Sequence, residues 1–166
     1  MRQDRRRAVT ASRRRTRDEG GAIIVEFALL FPILMLMVFG IVDFGWAIER
    51  GNVVNNVTRD ATRVASLGGT YAQIQSTVTT GLSDYDITAP GPDVRISITC
   101  TNPNGTTCNG TASSFDANAT SGSSVRVQVV YTHRWVTPVG AMCDVIADSC
   151  VGNTIALSRT AEMVRE

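Results

Sequence analysis

The apolar residues of this chain follow two patterns, and the change from one to the other comes near residue 48. From Phe27 to Val42 the sequence contains no ionisable side chain, so a helix there is apolar on every side. Beyond residue 48 the apolar residues recur every three or four positions between polar ones, which is typical of an amphipathic helix. The recurring residues are Val53, Val54, Val57, Ala61, Val64 and Ala65. We predict one helix from about Ala22 to Leu67, where two glycines end it.

The first pattern is long enough to cross a membrane only with its flanks included. Residues 27–42 rise about 24 Å as a helix, whereas a bilayer core is about 30 Å thick. Residues 22–48 rise about 40 Å, which is sufficient with tilt. This extension places Glu26 and Asp43 near the two interfaces, with Asp43 as an interfacial acid that ends the span. A soluble core helix would show a polar side, so the pattern favours a transmembrane helix over 22–48.

The charge pattern predicts the orientation of this helix. Eight arginines precede the span, whereas acidic and basic residues are mixed after it. Positive residues stay in the cytoplasm, so residues 1–21 are predicted to be an arginine-rich cytoplasmic leader. A secretory signal is disfavoured because no cleavage site follows Ile48, and a twin-arginine signal because Thr16-Arg17-Asp18 is polar. A nucleic-acid-binding arm is disfavoured because the cluster adjoins the span.

The rest of the chain predicts a small α+β head outside the membrane. A short helix is expected over 71–82, and strands over 94–100 and 125–135, where apolar and polar residues alternate. Residues 154–164 favour a closing strand, with a helix left open, and residues 101–124 are predicted to be a long polar loop. The fold class is therefore α+β, with a long helix packed on a small antiparallel sheet. The predicted domains are 1–21 (leader), 22–48 (transmembrane helix), 49–67 (amphipathic continuation) and 68–166 (head).

Four cysteines, an even number, lie in the part predicted to be outside the membrane, which indicates disulfides. They allow three pairings, and the sequence does not choose among them. The local scheme, Cys100–Cys108 with Cys143–Cys150, is favoured because a proline and an Asn-Gly pair between the first two cysteines are typical of a turn. A zinc site would have closer cysteine spacings.

Catalytic patterns are absent from the sequence. His133 is the single histidine, and it lies within an alternating strand pattern where a structural or solvent-facing role is usual. No phosphate-binding loop, nucleophile elbow or series of metal ligands is present. Asp84, Asp86 and Asp93 lack the spacing of a calcium-binding loop. We predict no enzyme activity, no cofactor, no metal, no small-molecule substrate and no nucleic-acid partner.

The N-terminal residues resemble a known family. Gly21-Ala22-Ile23-Ile24-Val25-Glu26-Phe27-Ala28, Pro32 and the segment 40–45 (Gly-Ile-Val-Asp-Phe-Gly) are similar to the signature of TadE-like proteins. These are minor pseudopilins of the bacterial tight-adherence (Tad/Flp) pilus machinery. The segments 60–65 and, less distinctively, 158–163 resemble later parts of the family pattern.

The resemblance implies a pilin-like protein of the bacterial cytoplasmic membrane that a prepilin peptidase cuts after Gly21. Ala22 would become the first mature residue and Glu26 the fifth, the position of the acid in pilin-like proteins. The carboxylate of Glu26 would then pair with the new ammonium of a neighbouring subunit. A simpler interpretation of Glu26 is an interfacial acid near the start of a helix.

The partners implied are the membrane, prepilin peptidase, other pilins or pseudopilins, and the assembly-platform proteins of the Tad system. A second functional class remains open, in which the protein is an uncleaved, single-pass anchor that carries an extracytoplasmic binding or adhesion module.

Overall fold

The computed structural model describes residues 16–108, 110–137 and 154–166. Three helices and four strands occur there: α1 (Thr16–Ser66), α2 (Tyr71–Ser83), β1 (Val94–Thr101), β2 (Thr107–Cys108), α3 (Ala112–Asn118), β3 (Ser124–Arg134) and β4 (Thr154–Val164). The strands form one antiparallel sheet in the order β2-β1-β3-β4. The predicted α+β class, a long helix with a small antiparallel sheet, is confirmed. The chain divides into two compact units between Ile41 and Val42.

The first unit contains the apolar part of α1. Of the residues described, this is the one helix long and apolar enough to cross a membrane, and none of its most apolar 18-residue window is buried. Side chains such as Ile23, Leu29 and Ile41 are more than 60% exposed. A large apolar surface without a protein cover is costly in water, so this surface fits a single-pass membrane anchor. Pro32 lies inside the helix.

The second unit is built around the later part of α1. The apolar stripe predicted there is buried, and it shares a hydrophobic core with α2 and the inner face of the sheet. Val54, Ala61 and Ala65 are completely buried. Two buried threonines on the same helix donate their hydroxyls to the preceding turn, Thr58 to the carbonyl of Val54 and Thr62 to that of Thr58, both at 2.6 Å. Their polar groups therefore cost little when buried.

A glycine ends α1 as the sequence predicts. Gly68 has a φ of +86°, a conformation that favours glycine because it lacks a Cβ. Its N–H donates to the carbonyl of Ala65, and the N–H of Gly69 donates to that of Val64 at 3.0 Å. This Schellman arrangement satisfies carbonyls that the helix end leaves unpaired. The chain enters α2 directly afterwards through a capping box.

The three predicted strands are present, and β4 is a strand, which removes the alternative of a helix there. In β3 the alternate residues Val125, Val127 and Val129 are fully buried and form one layer of the core. β4 pairs with β3 along eleven residues, from Ser124↔Val164 to Arg134↔Thr154. The alternation of apolar and polar residues thus identified the strands and their buried face.

The prediction of a long polar loop over residues 101–124 is wrong in part. The segment contains β2 and α3, so the sheet has four strands in place of the three predicted. One apolar residue organises it, because Phe115 is fully buried and contacts the ring of Tyr71. Thr111 caps α3 by accepting the N–H of Ser114. A single aromatic residue among polar neighbours produces no periodicity, so pattern analysis misses it.

The first predicted disulfide lies at the hairpin between β1 and β2. Cys100 and Cys108 are bonded and directly opposite in the sheet, with Cα atoms 5.0 Å apart. In the turn between them, the N–H of Gly105 donates to the carbonyl of Asn102. Gly105 has a φ of +82°. This is the local pair favoured from the sequence. Cys143 and Cys150 lie outside the described residues.

The end of β4 is tied to the end of α1. The N–H of Glu166 donates to the carbonyl of Ser66, and the Arg165 guanidinium donates to the carbonyl of Gly68, both at 2.9 Å. The guanidinium also lies over the ring of Phe115, 5.7 Å from its centre. A cation above an aromatic face is favourable, so one arginine joins α1, α3 and β4.

A tryptic digest under non-reducing conditions separates the local disulfide pairing from the two crossed pairings. The chain has no lysine, so cleavage after arginine places Cys100 and Cys108 in peptide 96–126, and Cys143 and Cys150 in peptide 135–159. Local pairing gives two separate peptides, each lighter by two hydrogen atoms than its reduced form. Mass spectrometry of the digest checks this. Two peptides joined to each other would contradict the local scheme.

Candidate functional site

Gly21 lies within α1, and its identity has no explanation in packing. A Cβ built on Gly21 meets no described atom within 4 Å. Gly21 and Ala22 are both exposed. Glycine inside a helix costs about 1 kcal/mol relative to alanine. Among the described residues, neither contact nor backbone conformation accounts for a glycine at this position.

Glu26 is an exposed acid on an apolar helix. It lies about one turn after Ala22, and the side chains around it, including Ile23 and Leu30, are 57% exposed or more. Among the residues whose side chains the structure describes, none forms a hydrogen bond or ion pair with Glu26. An unpaired carboxylate in a membrane helix is costly and usually functional. The role predicted for Glu26 therefore stays a prediction that needs a partner from another molecule.

Asp43, the second acid of the segment, is buried inside the head unit, with 1% of its surface exposed. Its Oδ1 accepts the backbone N–H groups of Val136 and Thr137 at 3.2 and 3.3 Å. Its Oδ2 accepts the N–H of Thr137 at 3.4 Å and the hydroxyl of the same residue. Hydrogen bonds to a charged acceptor are the strong ones. The carboxylate thereby fixes the chain that leaves β3 against α1.

Aromatic rings surround this anchor. Phe44, the residue after Asp43, packs edge-on against Trp135, with ring centres 5.6 Å apart. Trp135 in turn packs against His133 at 5.9 Å, and His133 against Tyr131 at 6.1 Å. Edge-to-face pairs at these distances are favourable. The helix and the end of β3 are therefore joined by contacts between aromatic rings as well as by the carboxylate.

His133 is a structural residue, one of the two roles expected from the sequence. It is 3% exposed, and neither ring nitrogen has a hydrogen-bond partner among the described atoms. Burial lowers the pKa of His133 below its usual 6.5; the charge of Asp43 opposes this effect and the charge of Arg50 adds to it. The imidazole is therefore neutral near pH 7.

The remaining candidate residues do not form a site. Within the described parts of the chain, no group of three or more His, Cys, Asp or Glu side chains is placed to hold a metal ion. Asp93, one of the acids weighed for calcium, pairs with Arg134 at 3.1 Å on the surface. An open groove of about 370 Å³ lies between α1 and α2, lined by Asp60, Thr77, Gly81 and neighbouring residues.

The similarity to a known protein family lies mainly in α1. Residues 21–63 match the model of the TadE-like protein family. The TadE-like segment includes Gly21, Ala22, Glu26 and Asp43, whereas the cysteines and His133 lie beyond it. The match supports a role associated with the Tad pilus in general terms. No curated protein and no solved structure matches the chain.

Sequence reasoning treated Asp43 only as the acid that ends the span. The structure adds its partners in residues 136–137, which are more than ninety positions away in the sequence. One signal was available: Asp43 and Ala47 continue the buried stripe of Val54, Ala61 and Ala65 at helical spacing. An acid on a buried stripe indicates a specific partner.

Replacing Asp43 with alanine removes the acceptor of two backbone N–H groups. We expect Asp43→Ala to lower the free energy of unfolding of the head by about 1–3 kcal/mol, and the amides of Val136 and Thr137 to exchange faster with deuterium. Asp60→Ala, an exposed acid on the same helix, is the matched control. Equal exchange at residues 136–137 in the two variants would contradict the anchor.

The neutral state of His133 makes stability depend on pH. Its folded pKa lies below its unfolded value, so the unfolded chain binds more protons at acid pH. Stability is therefore complete above about pH 6.5 and falls as the pH drops below that value. We expect His133→Phe to flatten this part of the profile, measured as the denaturant midpoint between pH 8 and pH 5. An unchanged slope would show that other groups cause it.

Proposed function

We propose that this protein is a minor pseudopilin that acts in the assembly of a Tad/Flp-type pilus or a related secretion machinery. The observation that carries the proposal is that the TadE-like segment contains both a glycine that no described contact explains and an acid that has no partner among the described side chains. Gly21 and Glu26 are five residues apart in the part of α1 whose residues are exposed on every side. Recognition by other molecules would explain both the glycine and the acid.

The glycine suits recognition by prepilin peptidase, with cleavage after Gly21. The absence of a Cβ allows an enzyme to approach the backbone closely, and no described atom lies within 4 Å of a Cβ built at this position. The arginines before Gly21 would keep the bond at the cytoplasmic face of the membrane. Cleavage releases a new ammonium on Ala22.

Glu26 suits an assembly contact between subunits. In lipid, a carboxylate loses its hydration and gains most from an opposite charge at short distance. The ammonium of Ala22 on a neighbouring subunit supplies that charge. The neighbour is another pilin or pseudopilin, or a protein of the Tad assembly platform.

The same proposal gives the chain a non-catalytic role and one orientation. The N-terminus lies in the cytoplasm, α1 crosses the bacterial cytoplasmic membrane once, and the head unit is extracytoplasmic. The disulfide between Cys100 and Cys108 supports this side for the head, since disulfides persist in oxidising compartments.

Processing is tested by the intact mass of the protein purified from its native membrane with a functional peptidase present. We expect the loss of residues 1–21, which leaves Ala22 as the first residue. Gly21→Val should abolish the loss, because the added branched side chain blocks the approach of the enzyme. Gly40→Val is the matched control, because its built Cβ also lies in open space, and it should be cut normally.

The role of Glu26 in assembly is tested with Glu26→Gln, produced in the same host. The substitution keeps the size of the side chain but removes its charge. We expect the variant to be cut and inserted like the wild type, and pilus formation to be lost. Normal pili with Glu26→Gln would contradict the pairing. A full-length wild-type mass would contradict processing and favour an uncleaved anchor that carries an extracytoplasmic binding or adhesion module.

A further inference from the structure

One end of the head unit exposes large apolar side chains around the Asp43 anchor. Phe44 is 59% exposed, Trp46 47% and Val136 61%, and Trp135 packs against Phe44. We call these four residues the aromatic end. Two of them belong to α1, and two follow directly after β3.

The partners of Asp43 limit how far the hydrocarbon layer extends along α1. Its carboxylate binds the N–H groups of residues 136–137, which are non-helical chain after β3. Irregular backbone does not lie against the hydrocarbon region, so lipid tails cover α1 only before Asp43. Residues 22–42 rise about 31 Å, close to the roughly 30 Å of a bilayer core. A span that ends at Val42 fits these contacts better than the span to Ile48 predicted from the sequence.

With the span ending there, the aromatic end coincides with the boundary between lipid and water. We propose that it rests in the interfacial layer of the membrane that α1 crosses, so that the head contacts the lipid surface directly. This inference rests on the proposed membrane anchoring. Tryptophan and other aromatic rings favour this layer because it accommodates both an apolar body and a polar edge.

Continuity with the span identifies lipid as the occupant. Ile41, Val42 and Phe44 form one run of exposed apolar residues along α1, and a bilayer that covers the first two reaches the third. The acid within this run does not oppose the contact. Three donor groups surround its carboxylate and 1% of Asp43 is exposed, so the charge faces protein and not lipid tails.

The two tryptophans of the chain, Trp46 and Trp135, provide the test. The full-length Trp46→Phe variant, which retains Trp135 as the single tryptophan, is placed in vesicles of phosphatidylcholine and phosphatidylglycerol. Bromine atoms are attached near the headgroup end or near the middle of the acyl chains. We expect shallow bromines to reduce Trp135 fluorescence by roughly half and deep bromines to reduce it less. Flotation of the vesicles after a high-salt wash reports anchoring independently.

A matched control places a tryptophan at the far end of α1. Leu67 is 65% exposed and lies about 36 Å along the helix from Asp43. In the Trp46→Phe/Trp135→Phe background, Leu67→Trp should be unaffected by either bromine position. Val136→Trp in the same background should be quenched like Trp135, which checks the lipid contact at a second position of the aromatic end.

The outcomes separate this inference from the proposed function. If the protein floats with the vesicles but bromine does not quench the tryptophans at positions 135 and 136, the anchoring stands and the lipid contact is overturned. A second copy of the chain on the aromatic end would shield these tryptophans from bromine and make their emission depend on the ratio of protein to lipid. That result also overturns the lipid contact. Protein that does not float overturns the anchoring and, with it, this inference.

Discussion

The architecture of the head depends on one carboxylate in an otherwise apolar part of a helix. Asp43 accepts the backbone N–H groups of Val136 and Thr137, which come shortly after the end of β3. Burying a carboxylate is favourable only when it is hydrogen-bonded, so the acid specifies where the end of the sheet meets the helix. The apolar stripe further along α1 buries its side chains against α2 and the inner face of the sheet. The acid therefore contributes register, and the apolar core contributes most of the stability.

The two acids of the TadE-like segment illustrate how the surroundings of a side chain separate roles. Asp43 is satisfied by its own chain, whereas Glu26 is exposed and has no partner among the side chains described. Asp43 therefore has a role in the fold, whereas an exposed acid in a membrane helix is usually functional. Sequence spacing alone would treat both as interfacial acids at the ends of a span.

Periodicity predicted most of the fold because most of the elements bury one regular face. The stripe of α1, the short helix after it and the alternation in β3 and β4 are all visible in the order of the residues. Strand β2 and helix α3 were missed; for α3 the reason is that Phe115 is a lone aromatic among small polar residues. The contacts of Asp43 were missed for a different reason: a long-range hydrogen bond to backbone atoms depends on the path of the chain and not on the identity of the residues it reaches.

The ties at the two ends of the head portion of α1 have a mechanical consequence. One end is fixed to the chain after β3 through Asp43, and the other to the end of β4 through the carbonyls of Ser66 and Gly68. Because β3 and β4 are antiparallel and paired along eleven residues, these ties lie at opposite ends of the same ladder. A pull along the helix axis therefore loads both ties and the core between them together, in shear, whereas bonds that break one after another yield at much lower force. A helix fixed at both ends in this way transmits tension to its head without being peeled away from it.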